Sequence, residues 1–95
     1  MKVLISSGYG AGWSTWNGRE LAVDKGIIDL FEKGCTVHEM EKFCKSKGYE
    51  DIYMGGFYDL KVVEVPKGTC FCIREYDGAE YIEIMEEQNW FYAED

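Results

Sequence analysis

Long apolar runs are missing from this chain. No window approaches the roughly eighteen consecutive apolar residues of a membrane-spanning helix, and the N-terminal run Val3-Leu4-Ile5 is too short for the apolar region of a secretory signal. Both absences predict a soluble, cytoplasmic protein without a membrane partner. Positive charge is scarce: 10 Lys and Arg stand against 18 Asp and Glu, a formal net charge of −8. A phosphate backbone is held by basic side chains and repelled by carboxylates, so direct nucleic-acid binding is not expected unless a local basic pocket reverses the balance. No C-x-x-C pair occurs. Cys35, Cys44, Cys70 and Cys72 read as free thiols of a reducing compartment. Cys35, His38 and Cys44, with Cys70 or Cys72 folded near, have the donor types for zinc, but buried free cysteine is the commoner outcome; no metal and no cofactor is expected. The one histidine, His38, reads as a surface residue at a helix start with no nucleophile beside it in sequence.

Glycine and aromatic residues are plentiful. Between Ser6 and Gly18 the chain carries Gly8, Gly10, Gly12 and Gly18 together with Tyr9, Trp13 and Trp16. Glycines forfeit backbone entropy on folding, and loops hold a disproportionate share of binding residues, so this stretch is where function is expected. The candidate ligand-binding set is Ser7, Gly8, Tyr9, Gly10, Ala11, Gly12, Trp13, Ser14, Thr15, Trp16 and Arg19.

The whole chain, residues 1–95, reads as a single domain. Val3, Leu4 and Ile5 predict a short strand buried on both faces, inside a sheet rather than at its edge. Asn17 is placed to cap a helix with Leu21, Ala22, Ile27, Ile28, Leu30 and Phe31 on its apolar side, weakened at Gly26 and stopped by Gly34. Thr36-Val37-His38-Glu39 is a capping box opening a second helix, with Val37, Met40, Phe43 and Cys44 buried and Gly48 at its end. Tyr49 to Asp59 shows no period and reads as a loop with a short strand at Ile52-Tyr53-Met54. Val65-Pro66-Lys67-Gly68-Thr69 suits a hairpin turn that sets Val63 opposite Phe71. Asp77-Gly78 is a second hairpin signal, pairing Tyr76 with Ala79, Ile73 with Ile82 and Phe71 with Ile84. The predicted core face of these strands is Val63, Phe71, Ile73, Ile82 and Ile84. On the same register Arg74 and Glu83 are diagonal neighbours able to pair, and Glu75 meets Glu80. Like charges across a ladder are destabilising, so these two either splay into water at the hairpin end or hold a cation or a basic group. The fold class is α+β, in the order β-α-α-β-β-β, with an antiparallel C-terminal meander and both helices packed on one face.

Strand, glycine-rich turn and helix start form an arrangement that binds anions through free backbone amides. The glycines lack the Lys-Ser/Thr of a Walker A loop and the third glycine of a dinucleotide fingerprint. Tyr9, Trp13 and Trp16 are either walls that stack on a nucleobase while Arg19 takes a phosphate, or plugs for the core beneath a compact loop. Ser14 and Thr15 have no partner for nucleophilic work, which points away from an enzyme; a small enzyme of unknown reaction is the lesser alternative.

The stretch Gly8-Tyr9-Gly10-Ala11-Gly12-Trp13-Ser14-Thr15-Trp16-Asn17, with Glu75-Tyr76-Asp77-Gly78 and Asn89-Trp90, resembles a family of short, functionally unassigned proteins of tailed phages and Gram-positive bacteria. The resemblance implies a phage setting and the host cytoplasm, where small accessory proteins inhibit host defences. Two functions follow as expectations. One is capture of a small anionic, nucleotide-like ligand in the glycine loop. The other is an acidic inhibitor that covers a basic surface of a host defence protein, with Glu50, Asp51, Glu86, Glu87, Glu94 and Asp95 standing in for phosphates. Fifteen aromatic residues are many for a domain of this size. The Tyr49-to-Tyr58 segment and Asn89-Trp90-Phe91-Tyr92, read as an edge strand or lid, are therefore expected at a subunit contact of a homodimer or higher symmetric oligomer, while Ala93 to Asp95 fray.

Overall fold

The computed structural model describes residues 1–85. Strand β1 (Lys2–Ser6) leads into the glycine loop and a four-residue helix, α1 (Ser14–Asn17). A 3-10 turn (Arg19–Ala22) follows, then helices α2 (Lys25–Lys33) and α3 (Val37–Ser46), a 3-10 turn at Phe57–Asp59, and strands β2 (Leu60–Glu64), β3 (Phe71–Tyr76) and β4 (Ala79–Ile84). The class is α+β, and the strands and two longer helices come in the order β-α-α-β-β-β. The segments 86–95, including the aromatic tail and four of the carboxylates named above, lie outside the described residues.

β1 pairs antiparallel with β2, Val3 opposite Val63 and Leu4 opposite Val62. β3 pairs antiparallel with β4, and all six pairs from Phe71–Ile84 to Tyr76–Ala79 match the register set by Asp77-Gly78. Asp77 and Gly78 both take positive φ, 49° and 85°, as the tightest hairpin turn requires. Arg74 Nε donates to Glu83 Oε2 at 2.6 Å.

The pairing expected across Val65–Thr69 does not form. The turn closes, with Thr69 N donating to Pro66 O at 3.1 Å, but Val65 N donates to Met1 O at 2.8 Å and the terminal ammonium of Met1 donates to Val65 O at 2.9 Å. Val65 therefore extends the β1–β2 ladder, and Val63 lies across from Val3 rather than Phe71. Among the described residues β1 has one strand neighbour, so it is buried on both faces as expected yet sits at an edge of its ladder.

Alternation along β1 divides the interior. Leu4 joins Trp13, Leu21, Ile27, Met40, Cys44, Phe57 and Leu60 in a core beneath α2 and α3. Val3 and Ile5 face the other way, joining Ala22 and Val65, and are covered by the half-buried Val63, Phe71, Ile73 and Ile82. Ile84, the last of the predicted core face, is exposed. The β1–β2 ladder thus lies between the helices and the β3–β4 hairpin.

The single helix expected from Asn17 to Gly34 is instead broken. Gly18 turns the chain at φ 138°, and Asp24, not Asn17, caps the second piece by accepting from Ile27 N at 3.2 Å. Asn17 ends α1 and clamps the backbone of Tyr53: its Nδ2 donates to Tyr53 O at 2.9 Å and its Oδ1 accepts from Tyr53 N at 2.8 Å. With those groups engaged by a side chain, Ile52-Tyr53-Met54 is coil and not a strand. The Thr36–Glu39 capping box is present in both directions, and His38 is exposed on α3.

Candidate functional site

The glycine loop is closed over by two segments distant in sequence, 56–59 and the tip of the β3–β4 hairpin. Ser7 N donates to Asp59 O at 3.1 Å, and a Cβ on Gly8 would lie 2.1 Å from Asp59 Oδ2. Gly10 takes φ +88°, and its N–H donates to Asp77 O at the tip of the β3–β4 hairpin. A Cβ on Gly78 would come within 2.3 Å of Ala11 N, and one on Gly56 within 2.7 Å of Ser6 Oγ and 2.8 Å of Gly12 O. Gly56 and Gly78 allow backbone to lie on backbone, which any side chain would prevent, and Gly8 leaves room for the Asp59 carboxylate.

The hairpin also delivers the anion that the loop binds. Glu80 is 3% exposed. Its Oε1 accepts from Ser6 N at 2.9 Å, and its Oε2 accepts from Trp13 N at 2.8 Å, Thr15 N at 2.9 Å and Thr15 Oγ1 at 2.6 Å. Converging amides of this kind make an anion-binding concavity, and hydrogen bonds to a charged acceptor are about twice as strong as neutral ones. The amides expected to take a ligand phosphate are therefore engaged by the chain's own carboxylate. The pairing of Glu75 with Glu80 across the ladder is as expected, but neither proposed outcome describes Glu80, which turns inward onto N–H donors instead of into water or onto a cation. Glu75 Oε2 accepts from Gly78 N at 2.7 Å and steadies the turn.

Trp13 is fully buried, with its Nε1 donating to Leu21 O at 3.2 Å, so it plugs the core and is not a wall of an open site. Ala11, Gly12 and Ser14 are buried too. Trp16 is exposed and stacks on Tyr53 with ring centroids 5.7 Å apart. Tyr9, Ser7 and Gly10 face solvent, and Gly8 is half-buried against Asp59.

Ser14, Thr15 and Arg19 do come together, on one cleft of about 570 Å³ whose opposite side is Phe71, Cys72 and Ile73 of β3. The 3-10 turn puts Arg19 at this cleft while Leu21 and Ala22 enter the two cores. Among the described residues Arg19 enters no ion pair. Phe71 and Ile73 belong to the half-buried cover of the second core, which is why the cleft has an apolar wall.

Cys35 and Cys44 offer little nucleophilic chemistry. Burial, reinforced by the Asp24 carboxylate, pushes the Cys44 thiol up to about 11, and burial likewise raises Cys35; a thiol so shifted is protonated at neutral pH. All four cysteines are free, and among the described residues no group of three His, Cys, Asp or Glu is placed to hold a metal ion.

Glu80 and the Asn17 clamp are the residues of this site that sequence reasoning missed. The like-charge pairing of Glu75 and Glu80 was the available signal for the first; the second carries none, because its partner is backbone 36 residues away. No protein-family model, no curated protein and no solved structure matches the chain. Fold similarity offers no functional analogy, and the chemistry of the site carries the reading.

Proposed function

We propose that this is a non-enzymatic binding protein that takes a small anionic, partly apolar ligand of nucleotide-like chemistry. The observation that supports this is the cleft in which Arg19, Thr15 and Ser14 lie across from Phe71 and Ile73. Its size falls within the range of ligand pockets, about 300–1,000 Å³. A guanidinium suits a phosphate, and an aromatic and an aliphatic side chain suit a base. The glycine loop serves the site indirectly: Glu80 locks it, and the locked loop holds Thr15 at the cleft's edge. The resemblance to phage proteins makes a nucleotide signal of a host defence system the ligand class to test first. Thermal-shift measurements against nucleotides and cyclic oligonucleotides should show stabilisation by one class, about 2.7 kcal/mol at a hundredfold excess over Kd. Arg19→Ala should abolish the shift without altering the unliganded melting temperature, since Arg19 is exposed. No shift with any nucleotide up to millimolar concentration rejects this reading.

A second reading, an acidic inhibitor of a host defence protein, is favoured by the aromatic end of the molecule. Tyr9, Tyr58 and Tyr76 are 76%, 80% and 73% exposed. Each adjoins a residue through which the loop is tied to Asp59 or Asp77, and both of those carboxylates are exposed. Tyrosine beside carboxylate suits an arginine-bearing surface. A complex formed this way should associate more slowly as salt rises, because charge steering is screened beyond roughly 8–10 Å at physiological ionic strength. A salt-insensitive association rate rejects it.

A further inference from the structure

A second cleft, of about 560 Å³, adjoins the first. The two share Met1 and Val23, and the second is lined in addition by Lys2, Lys25, Ile28 and Lys67. In a chain with only 10 basic residues, four of them thus flank one continuous surface: Arg19 at one end, and Lys2, Lys25 and Lys67 at the other. Lys2 is held by Glu32 at 2.7 Å. Arg19, Lys25 and Lys67 enter no ion pair among the described residues. The carboxylates nearby are Asp29, which lines the second cleft, Glu32, and Glu64, which lies 3.7 Å from the terminal ammonium. The lining shared between the cationic ends is Met1 and Val23, whose side chains are apolar, and the Met1 ammonium is engaged by Val65 O at 2.9 Å and Glu64 at 3.7 Å. Neither the net charge nor the order of these residues in the chain reveals this grouping, because Lys25 and Lys67 are brought together only by the fold.

We infer that the ligand spans both clefts and carries two anionic groups joined by a flat or apolar body, one group at Arg19 and the other between Lys25 and Lys67. Among nucleotides this selects a dinucleotide, linear or cyclic, over a mononucleotide. A mononucleotide fills one cleft and leaves the second pair of cations solvated. A dinucleotide engages both ends without added translational cost, so the second contact adds directly to affinity. Exposed ion pairs contribute up to about 1 kcal/mol each, roughly a fivefold change in Kd. The inference rests on the small-anion reading of the Arg19 cleft.

The probes are the linear dinucleotide pApA, cyclic di-AMP and AMP, titrated into the full chain by calorimetry at 150 mM salt. At least one dinucleotide is expected to bind about fivefold or more tightly than AMP. The double variant Lys25→Ala/Lys67→Ala should remove that advantage and leave the AMP affinity unchanged, whereas Arg19→Ala should weaken all binding. All three positions are exposed, and unaltered melting temperatures would confirm that each variant is folded. Equal binding of AMP and both dinucleotides, or a dinucleotide advantage that survives in the double variant, overturns the two-cleft assignment while leaving the Arg19 cleft standing. Binding of none of the three overturns the two-cleft assignment, and the Arg19 reading falls with it when the wider thermal-shift panel of nucleotides also shows no stabilisation.

Discussion

The two faces of the β1–β2 ladder are covered in different ways. On the face of Leu4, two helices and Trp13 close a core in which nine residues are buried. On the face of Val3 and Ile5, a two-stranded hairpin covers only part of the surface, and Phe71, Ile73 and Ile82 stay half-buried. A helix pair brings an apolar stripe of Ile27, Ile28, Met40 and Cys44 that a twisted two-stranded ribbon cannot match. The helical face holds the chain together, and the gap left on the hairpin face is where the Arg19 cleft opens.

The largest expected effect breaks the helical face. Leu4 is fully buried, and Leu4→Ala should cost about 3–4 kcal/mol, the transfer loss plus a cavity that packed helices cannot collapse to fill. Phe71→Ala removes a larger side chain from the hairpin face but should cost only about 1–2 kcal/mol, because the ring is already half in water. Chemical denaturation of both variants checks the contrast. If Phe71→Ala proved as damaging as Leu4→Ala, the hairpin face would be a core and the cleft an incidental dent.

Glu80→Ala should come next, at about 3 kcal/mol, because it leaves the amides of Ser6, Trp13 and Thr15 facing an empty pocket. The effect should be local as well as global. Amide exchange at Trp13 and Thr15 should rise by more than exchange in α3. Uniform acceleration across the chain would mean that Glu80 contributes only to overall stability and does not lock the loop.

These contrasts follow how much of the structure was legible in the sequence. Local signals served well. Asp77-Gly78 set the whole β3–β4 register, and the Thr36–Glu39 box fixed the start of α3. What failed was decided by partners far along the chain. Val65 reads as one side of a hairpin until Met1, 64 residues away, takes both its N–H and its C=O. Asn17 reads as a cap until Tyr53 claims its amide. The glycine loop reads as an anion cradle, and it is one in kind, but its described anion arrives from Glu80, 65 to 74 residues on. The chemistry of a short segment was readable; the identity of its partner was not.

The smallest expected effect tests the entry to the helical face. Burial alone would push the Asp24 carboxyl up, but it is outweighed by Lys47 Nζ at 2.6 Å, Ile27 N at 3.2 Å and the Tyr49 hydroxyl at 3.2 Å, which together hold it below its ordinary value of 3.8. A carboxyl depressed by folding stabilises the native state fully above its unfolded pKa, and that stability is lost as pH falls through the folded value. Lys47 is raised by its hydrogen bond to Asp24, and Tyr49 is raised by burial and by the same carboxylate. Both favour the protonated form in the native state, so their share is present at neutral pH and is lost only as pH rises through their folded values. Asp24→Asn keeps a good cap for Ile27 and removes the charge, together with the oxygen that accepts from the Tyr49 hydroxyl. With Lys47 partly exposed, the loss at pH 7 should stay under about 1 kcal/mol. The distinguishing readout is the shape of the stability curve: the gap between wild type and variant should close as pH falls through the folded value of Asp24, below 3.8, and should narrow again as pH rises through the folded values of Tyr49 and Lys47, above their ordinary 10.0 and 10.5. Parallel curves across the whole range would mean that Asp24 acts as a cap and the Lys47 pair adds nothing.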